Sequence, residues 1–164
     1  MKCVMVCAVM GMMTGCAGNK SAAGTSQDTA SETRRADGEV SLKDIEGEWV
    51  IRSVHGKELP ADMERTPFLA FDTEAMRVHG FASCNLVNGA MLQDEGQPAS
   101  LKLPQMISTM MAGPYLEWEQ EVLQATEQVA SFALNAGRDT LSLQDADGNE
   151  VLCLQKHTGE KLSR

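Results

Sequence analysis

The sequence contains few basic residues and no apolar run long enough to cross a bilayer. Lys and Arg together number 14 against 23 Asp and Glu, which gives a formal net charge of −9. Because nucleic acids and anionic membranes are themselves negatively charged, neither is an expected partner. The longest apolar stretch, residues 3–13, is shorter than the roughly 20 residues that a spanning helix needs. These absences argue against a transmembrane helix and against nucleic-acid binding.

Signatures of catalysis and of metal binding are also missing. The sequence has no glycine-rich phosphate loop and no serine-hydrolase elbow. Its three histidines, His55, His79 and His157, share no spacing typical of metal ligands. The segment DADGNE at residues 145–150 resembles the start of a calcium loop, but the later ligands are missing and a hairpin turn explains it. We therefore expect no enzyme activity, no metal and no cofactor.

The N-terminus has the features of a secretory signal. Lys2 precedes the apolar stretch, and Met13-Thr14-Gly15-Cys16 follows it. These four residues resemble a bacterial lipobox. That resemblance implies cleavage before Cys16 and attachment of a lipid, with palmitate among its acyl chains, to the cysteine.

The chain divides into four parts by composition. The segment between Cys16 and Val40 contains no large apolar side chain, so it cannot bury enough surface to fold. It predicts a flexible tether with a mean reach of about 25–30 Å. We predict a lipoprotein signal peptide, a lipidated Cys16 with its flexible tether, a folded domain and a polar tail, at residues 1–15, 16–40, 41–157 and 158–164. The residues directly after Cys16 carry no acid, which favours an anchor in the outer membrane, facing the periplasm.

Short apolar runs, separated by turn signals at intervals of about ten residues, dominate the predicted domain. They predict antiparallel strands at residues 49–54, 67–72, 76–81, 89–93, 99–103, 129–134, 140–145 and 150–155. Asp147-Gly148 predicts a tight turn between the last two strands. The sequence therefore indicates a mainly β (α+β) fold, a curved antiparallel sheet or partly closed barrel of about eight strands.

One segment, residues 115–128, predicts a helix instead. Pro114 suits a first helical turn, and three glutamates near the start favour the positive end of the helix. The predicted apolar face consists of Leu116, Trp118, Val122, Leu123 and Ala125. We expect this one helix to pack across the sheet.

Three short motifs occur in order along the domain. The first is Gly47-Glu48-Trp49, the second is Gly80 followed by Cys84-Asn85 and Asn88-Gly89, and the third is residues 108–112, STMMA, followed by a proline and a helix containing Glu119. The set resembles the META domain, also called HslJ-like, of bacterial envelope lipoproteins. The motif residues are Trp49, Gly80, Cys84, Asn85, Gly89, Thr109, Met110 and Glu119.

The resemblance implies a compact, mostly antiparallel β fold with one helix. It also implies a role in heat-shock and envelope-stress settings, without an established catalytic activity. The sequence departs from the family pattern at two positions, because Ser83 replaces a usual glycine and Gly113 replaces a usual cysteine. The family's cysteine pair is therefore missing, and a redox role does not carry over with it.

Cys84 has three possible roles. A catalytic thiol would need a base, and His79 lies five positions before Cys84, so the two side chains meet only if the chain bends between them. A disulfide with Cys153 would need Cα atoms within about 7 Å. The third possibility is that both are buried, unreactive thiols. Asn85 is predicted to be structural, since asparagine tolerates left-handed backbone and bonds nearby backbone groups.

These observations favour a non-catalytic cell-envelope lipoprotein with a binding or stress-protection role. Its partners would be the membrane, through the lipid on Cys16, and an unknown envelope protein. Gly-x-Trp also resembles the opening of lipocalin-like barrels, so one alternative is a carrier with an apolar cavity inside the sheet. A redox protein based on Cys84 is the other alternative.

Overall fold

The computed structural model describes residues 40–162, so the predicted signal peptide, Cys16 and nearly all of the tether lie outside the described part. A 3-10 turn, Leu42–Ile45, precedes the first strand. The strands are β1 Gly47–Val54, β2 Lys57–Glu58, β3 Phe68–Asp72, β4 Arg77–Phe81, β5 Leu86–Ala90, β6 Ile107–Ser108, β7 Ser131–Leu134, β8 Thr140–Gln144 and β9 Glu150–Lys156, with one helix, α1, at Leu116–Gln128. Within residues 40–162 there is no helix with the length and apolarity needed to cross a membrane.

All nine strands form one antiparallel sheet that does not close into a barrel. Its order is β6-β5-β4-β3-β1-β9-β8-β7, and β2 pairs only with β1. The first long strand therefore lies at the centre, between β3 and the last strand, β9. The β7 edge is partly covered by a bridge between Ser100 and Ser131, whereas β6 has no described strand on its outer side. The prediction of a mainly antiparallel sheet with one helix packed on it is confirmed, and of its two forms the structure shows the sheet and not the partly closed barrel.

The core lies between the sheet and α1. Trp49 is fully buried, and its Nε1 donates a hydrogen bond to the carbonyl of Ile45 at 2.8 Å. Val122 and Ala125 of α1 pack against strand side chains such as Leu154 in the same apolar cluster. Packed side chains thus fill the helix-covered face of the sheet, where the carrier alternative requires an open cavity.

Two strand predictions were wrong. The predicted strand at residues 89–93 begins earlier, as Leu86–Ala90, and residues 99–103 form isolated bridges instead of a strand. Gly89 lies inside β5, and a Cβ there would be 2.5 Å from the sulfur of Met106, so a larger residue would displace that side chain. The two-residue strands β2 and β6 are too short to produce a sequence pattern.

The helix and the tail also differ from prediction. Helix α1 buries Glu119, Val122, Ala125 and Thr126, whereas Leu116 of the predicted apolar face is exposed. The tail at residues 158–162 is not simply a polar extension, because Leu162 packs onto Phe68, Ala70 and Phe81 on the outer face of the sheet.

Candidate functional site

Four of the motif residues, Cys84, Asn85, Thr109 and Glu119, meet at the corner between β4 and β5. Asn85 is buried there, and its side-chain oxygen accepts hydrogen bonds from the Met111 amide and the Thr109 hydroxyl, both at 2.8 Å. Its side-chain nitrogen donates to the carbonyl of Met111 at 3.0 Å and to the carboxylate of Glu119 at 2.9 Å. The Asn85 side chain therefore ties the corner both to residues 109–111 and to helix α1.

Glu119 is a carboxylate that is only 3% exposed, in the first turn of α1. One of its oxygens accepts hydrogen bonds from the backbone amides of Asn85, at 2.8 Å, and Cys84, at 3.3 Å. The asparagine side chain adds further hydrogen bonds to the same carboxylate. Buried carboxylates are tolerated when several donors surround them, and this one has the donors that it needs.

We call Asn85, Thr109, Met111 and Glu119 the clasp. The clasp joins three separate parts of the chain: the β4–β5 corner, the loop before α1 and the helix itself. Thr109 strengthens it, because its hydroxyl also accepts from the amide of Leu86 at 3.2 Å. The side chains of the clasp bond to one another and to backbone groups, so their chemistry is structural.

Ser83 has a φ of 150°, in the positive-φ region that favours glycine. This is the position where the resemblance places a glycine. The Ser83 hydroxyl donates to the carbonyl of Tyr115 at 2.8 Å, which adds a further link between the corner and the start of α1. Asn85 is not among the residues with positive φ, so the expectation of a left-handed Asn85 was wrong.

At most strand and loop positions alanine is more stable than glycine, but the positive φ of Ser83 should reverse that order. We expect Ser83→Gly to be more stable than Ser83→Ala by about 1–2 kcal/mol, because alanine keeps the strain and loses the hydrogen bond. Midpoints of urea unfolding measure the difference. Ser131 in β7, which has no positive φ, is the matched control, and there Ala should be the more stable variant. Equal midpoints for the two Ser83 variants would contradict the strain at this position.

Cys84 and Cys153 are both free and half-buried, so the bridge between them is not formed and neither thiol is fully buried. Cys153 lies in β9 opposite Ser53 and Ser142. Burial, together with the nearby Glu150 carboxylate, raises the pKa of the Cys153 thiol. A raised thiol pKa lowers the thiolate fraction, which disfavours reactivity.

Cys84 lies against Gly113 instead. A Cβ added at Gly113 would lie 3.1 Å from the Cβ of Cys84 and 2.6 Å from its sulfur. The Cys84 sulfur accepts a hydrogen bond from the Ser83 hydroxyl at 3.8 Å. His79 is exposed in β4, opposite Ala70 and Asn88, and makes no hydrogen bond to Cys84 among the described residues.

The remaining motif residues serve packing or are exposed. A Cβ on Gly80 would lie 2.0 Å from the carbonyl oxygen of Phe68, so this position requires glycine. Trp49 is in the core, away from the corner. Met110 is fully exposed. The roles of Met111 and Tyr115 could not be predicted from their residue types, because both form these hydrogen bonds through backbone atoms.

Comparisons with known proteins agree with this architecture. A family model described as META domain matches residues 40–158. An NMR structure of a protein from Burkholderia xenovorans is similar, with a TM-score of 0.53 and 20% identity, over 71% of this chain and 86% of that chain. At that identity the similarity shows the fold alone. Comparison with curated proteins gives no match. Because the family model covers most of the sequence, the chain belongs to the META domain family.

Proposed function

We propose that the chain is a non-catalytic lipoprotein of the cell envelope, with a META domain that serves binding or stress protection. The observation that supports this most is the clasp. A catalytic acid or base has to reach its substrate, whereas Asn85 and Glu119 are 2% and 3% exposed and bonded within the fold. The polar motif residues therefore have a structural use that needs no reaction.

The surroundings of Cys84 give further support. A redox-active thiol is typically paired with a second thiol or activated by a cationic neighbour. At Cys84 the facing position is Gly113, and the sulfur contacts a serine hydroxyl. These neighbours favour a structural thiol over the redox alternative.

The proposed location is the outer membrane, facing the periplasm, with the lipid on Cys16 as anchor. An unknown envelope protein is the other proposed partner. The lipobox-like residues and the polar segment before Val40 carry this part of the proposal, and both lie outside the described residues. A tether of this length would keep the domain within about 25–30 Å of the bilayer.

The proposed lipid anchor can be tested by replacing the sulfur of Cys16 with the oxygen of serine. We expect Cys16→Ser to abolish labelling by an alkyne analogue of palmitate and to move the protein from the membrane to the soluble fraction, because serine has no sulfur to accept the lipid. Labelling and fractionation of the full chain measure both effects. Cys84→Ser is the matched control and should leave both unchanged. Membrane association and labelling that persist in Cys16→Ser would contradict the anchor.

A further inference from the structure

A groove of about 360 Å³ crosses the outer face of the sheet, on the side away from the core. Pairing between neighbouring strands places Phe81, Leu86 and Phe68 on this face, and likewise His79, Asn88 and Ile107. The groove runs from β6 across β5 and β4 to β3, which is three strand spacings or about 14 Å. An extended chain of about a dozen carbons has a similar length.

The β6 end of the groove is apolar and exposed. Leu86 is 53% exposed and Ile107 is 73% exposed, and both line the groove. Clustered exposed apolar side chains of this kind mark binding surfaces.

The other end of the groove is cationic. The guanidinium of Arg65 lies 4.3 Å from the centroid of the Phe81 ring, and it donates to the carbonyl of Leu162 at 3.4 Å. Arg77 does not line the groove and lies opposite Asp72, so the positive charge at this end is that of Arg65. None of the ten described residues that line the groove carries a carboxylate, although the chain as a whole has a net charge of −9. The groove therefore combines an apolar channel with a local positive charge.

We propose that this groove binds a single-chain amphiphilic anion, the chemical class of a medium-chain carboxylate. The headgroup bonds to the guanidinium of Arg65, and the alkyl chain lies across the sheet towards Leu86 and Ile107. The proposal specifies the binding role proposed above and rests on it, but it does not depend on the lipid at Cys16. Labelling of Cys16 and binding in the groove can therefore succeed or fail separately.

The test compares three amphiphiles with the same twelve-carbon chain and different headgroups. Dodecanoate, dodecyltrimethylammonium and dodecyl maltoside are titrated, below their micelle-forming concentrations, into the non-lipidated full chain carrying Cys16→Ser. Amide signals in ¹H–¹⁵N NMR spectra report the site. We expect dodecanoate to shift the signals of Leu86, Asn88 and Ile107, with a dissociation constant about fivefold or more below those of the other two.

Matched variants separate the headgroup from the chain. Arg65→Gln should weaken dodecanoate binding about fivefold and leave dodecyl maltoside within about twofold, while Arg52→Gln, whose side chain bonds Gln155 at another place on the sheet, should change neither. Leu86→Asp should weaken dodecyl maltoside, which has no charge, about tenfold, and dodecanoate by at least as much. Leu92→Asp is its control, because Leu92 is 51% exposed but does not line the groove.

Four results would overturn the proposal. The first is equal affinity for the anionic and cationic amphiphiles, and the second is NMR shifts centred on Leu92. The third is NMR shifts that depend on protein concentration alone, and the fourth is binding only to vesicles of zwitterionic phospholipid. The third result would identify a second copy of the chain as the occupant, and the fourth a membrane surface. Thermal unfolding of each variant shows whether it is folded, and loss of binding in a folded Arg52→Gln or Leu92→Asp would also count against the site.

Discussion

Asn85→Ala will lower the free energy of unfolding by about 3 kcal/mol. The substitution removes donors to a buried carboxylate, Glu119, and leaves the amide and carbonyl of Met111 without their side-chain partner. A buried polar group left unpaired costs about 1–3 kcal/mol, and more when it is charged. Urea unfolding followed by circular dichroism measures the loss.

A second asparagine provides the control. Asn88 lies three residues further along, is exposed, and bonds only the surface side chain of Arg77, so Asn88→Ala should stay within about 0.5 kcal/mol of the unsubstituted protein. A double-mutant cycle isolates the clasp, because Glu119→Ala should cost at least about 1 kcal/mol less when Asn85 is already alanine. Additive losses, or an Asn85→Ala variant as stable as Asn88→Ala, would show that the clasp is not a unit.

Gly113→Cys will form a disulfide with Cys84 and raise stability by about 2–3 kcal/mol. The added Cβ would lie 3.1 Å from that of Cys84, slightly closer than the 3.5–4.5 Å that is usual in disulfides, so a small shift completes the bond. Closing the loop from residue 84 to 113 contributes about 3.5 kcal/mol in the chain-entropy model, and the shift lowers that figure. Intact mass should fall by two hydrogens, and the gain in urea midpoint should vanish on reduction.

Gly113→Ala distinguishes the effect of the disulfide from the effect of adding a side chain at position 113. Gly113→Ala places a methyl group against the Cys84 sulfur without a bridge, so we expect a small loss of stability. Gly113→Cys combined with Cys84→Ala should show no change of mass on reduction. If air oxidation leaves Gly113→Cys fully reduced, position 113 does not face Cys84 in solution.

The parts of the fold that the sequence predicted are those whose signal is local. Strand β8 alternates regularly between buried and half-buried residues, and the turn that follows it has Gly148 at a positive φ, with Asp145 accepting hydrogen bonds from nearby amides. Helix α1 was predicted to begin within one residue of its start at Leu116 because a proline precedes it. Each of these features depends on residues within a few positions of one another.

The candidate site was only partly predictable, because its contacts join distant residues. Glu119 stands between two other glutamates, and nothing local distinguishes the buried carboxylate from Glu117 or Glu121. Glu119 is the buried glutamate because its carboxylate meets Asn85, which lies 34 residues earlier in the chain. Gly89 was placed at the start of a predicted strand, but the side chain that packs against it, that of Met106, lies 17 residues away. Met111 makes its contacts through backbone atoms, which every residue type has, so its identity as methionine does not predict them.

The pairing of β1 with β9 determines when the domain can fold. The centre of the sheet consists of residues 47–54 beside residues 150–156, so the two halves of the sheet are joined only after the last strand has been made. A chain still emerging from the ribosome lacks that strand and cannot complete its core. Such long-range pairing slows folding, because a long loop must close before the contacts form. The native core of the domain can therefore form only after residue 156 has been synthesised.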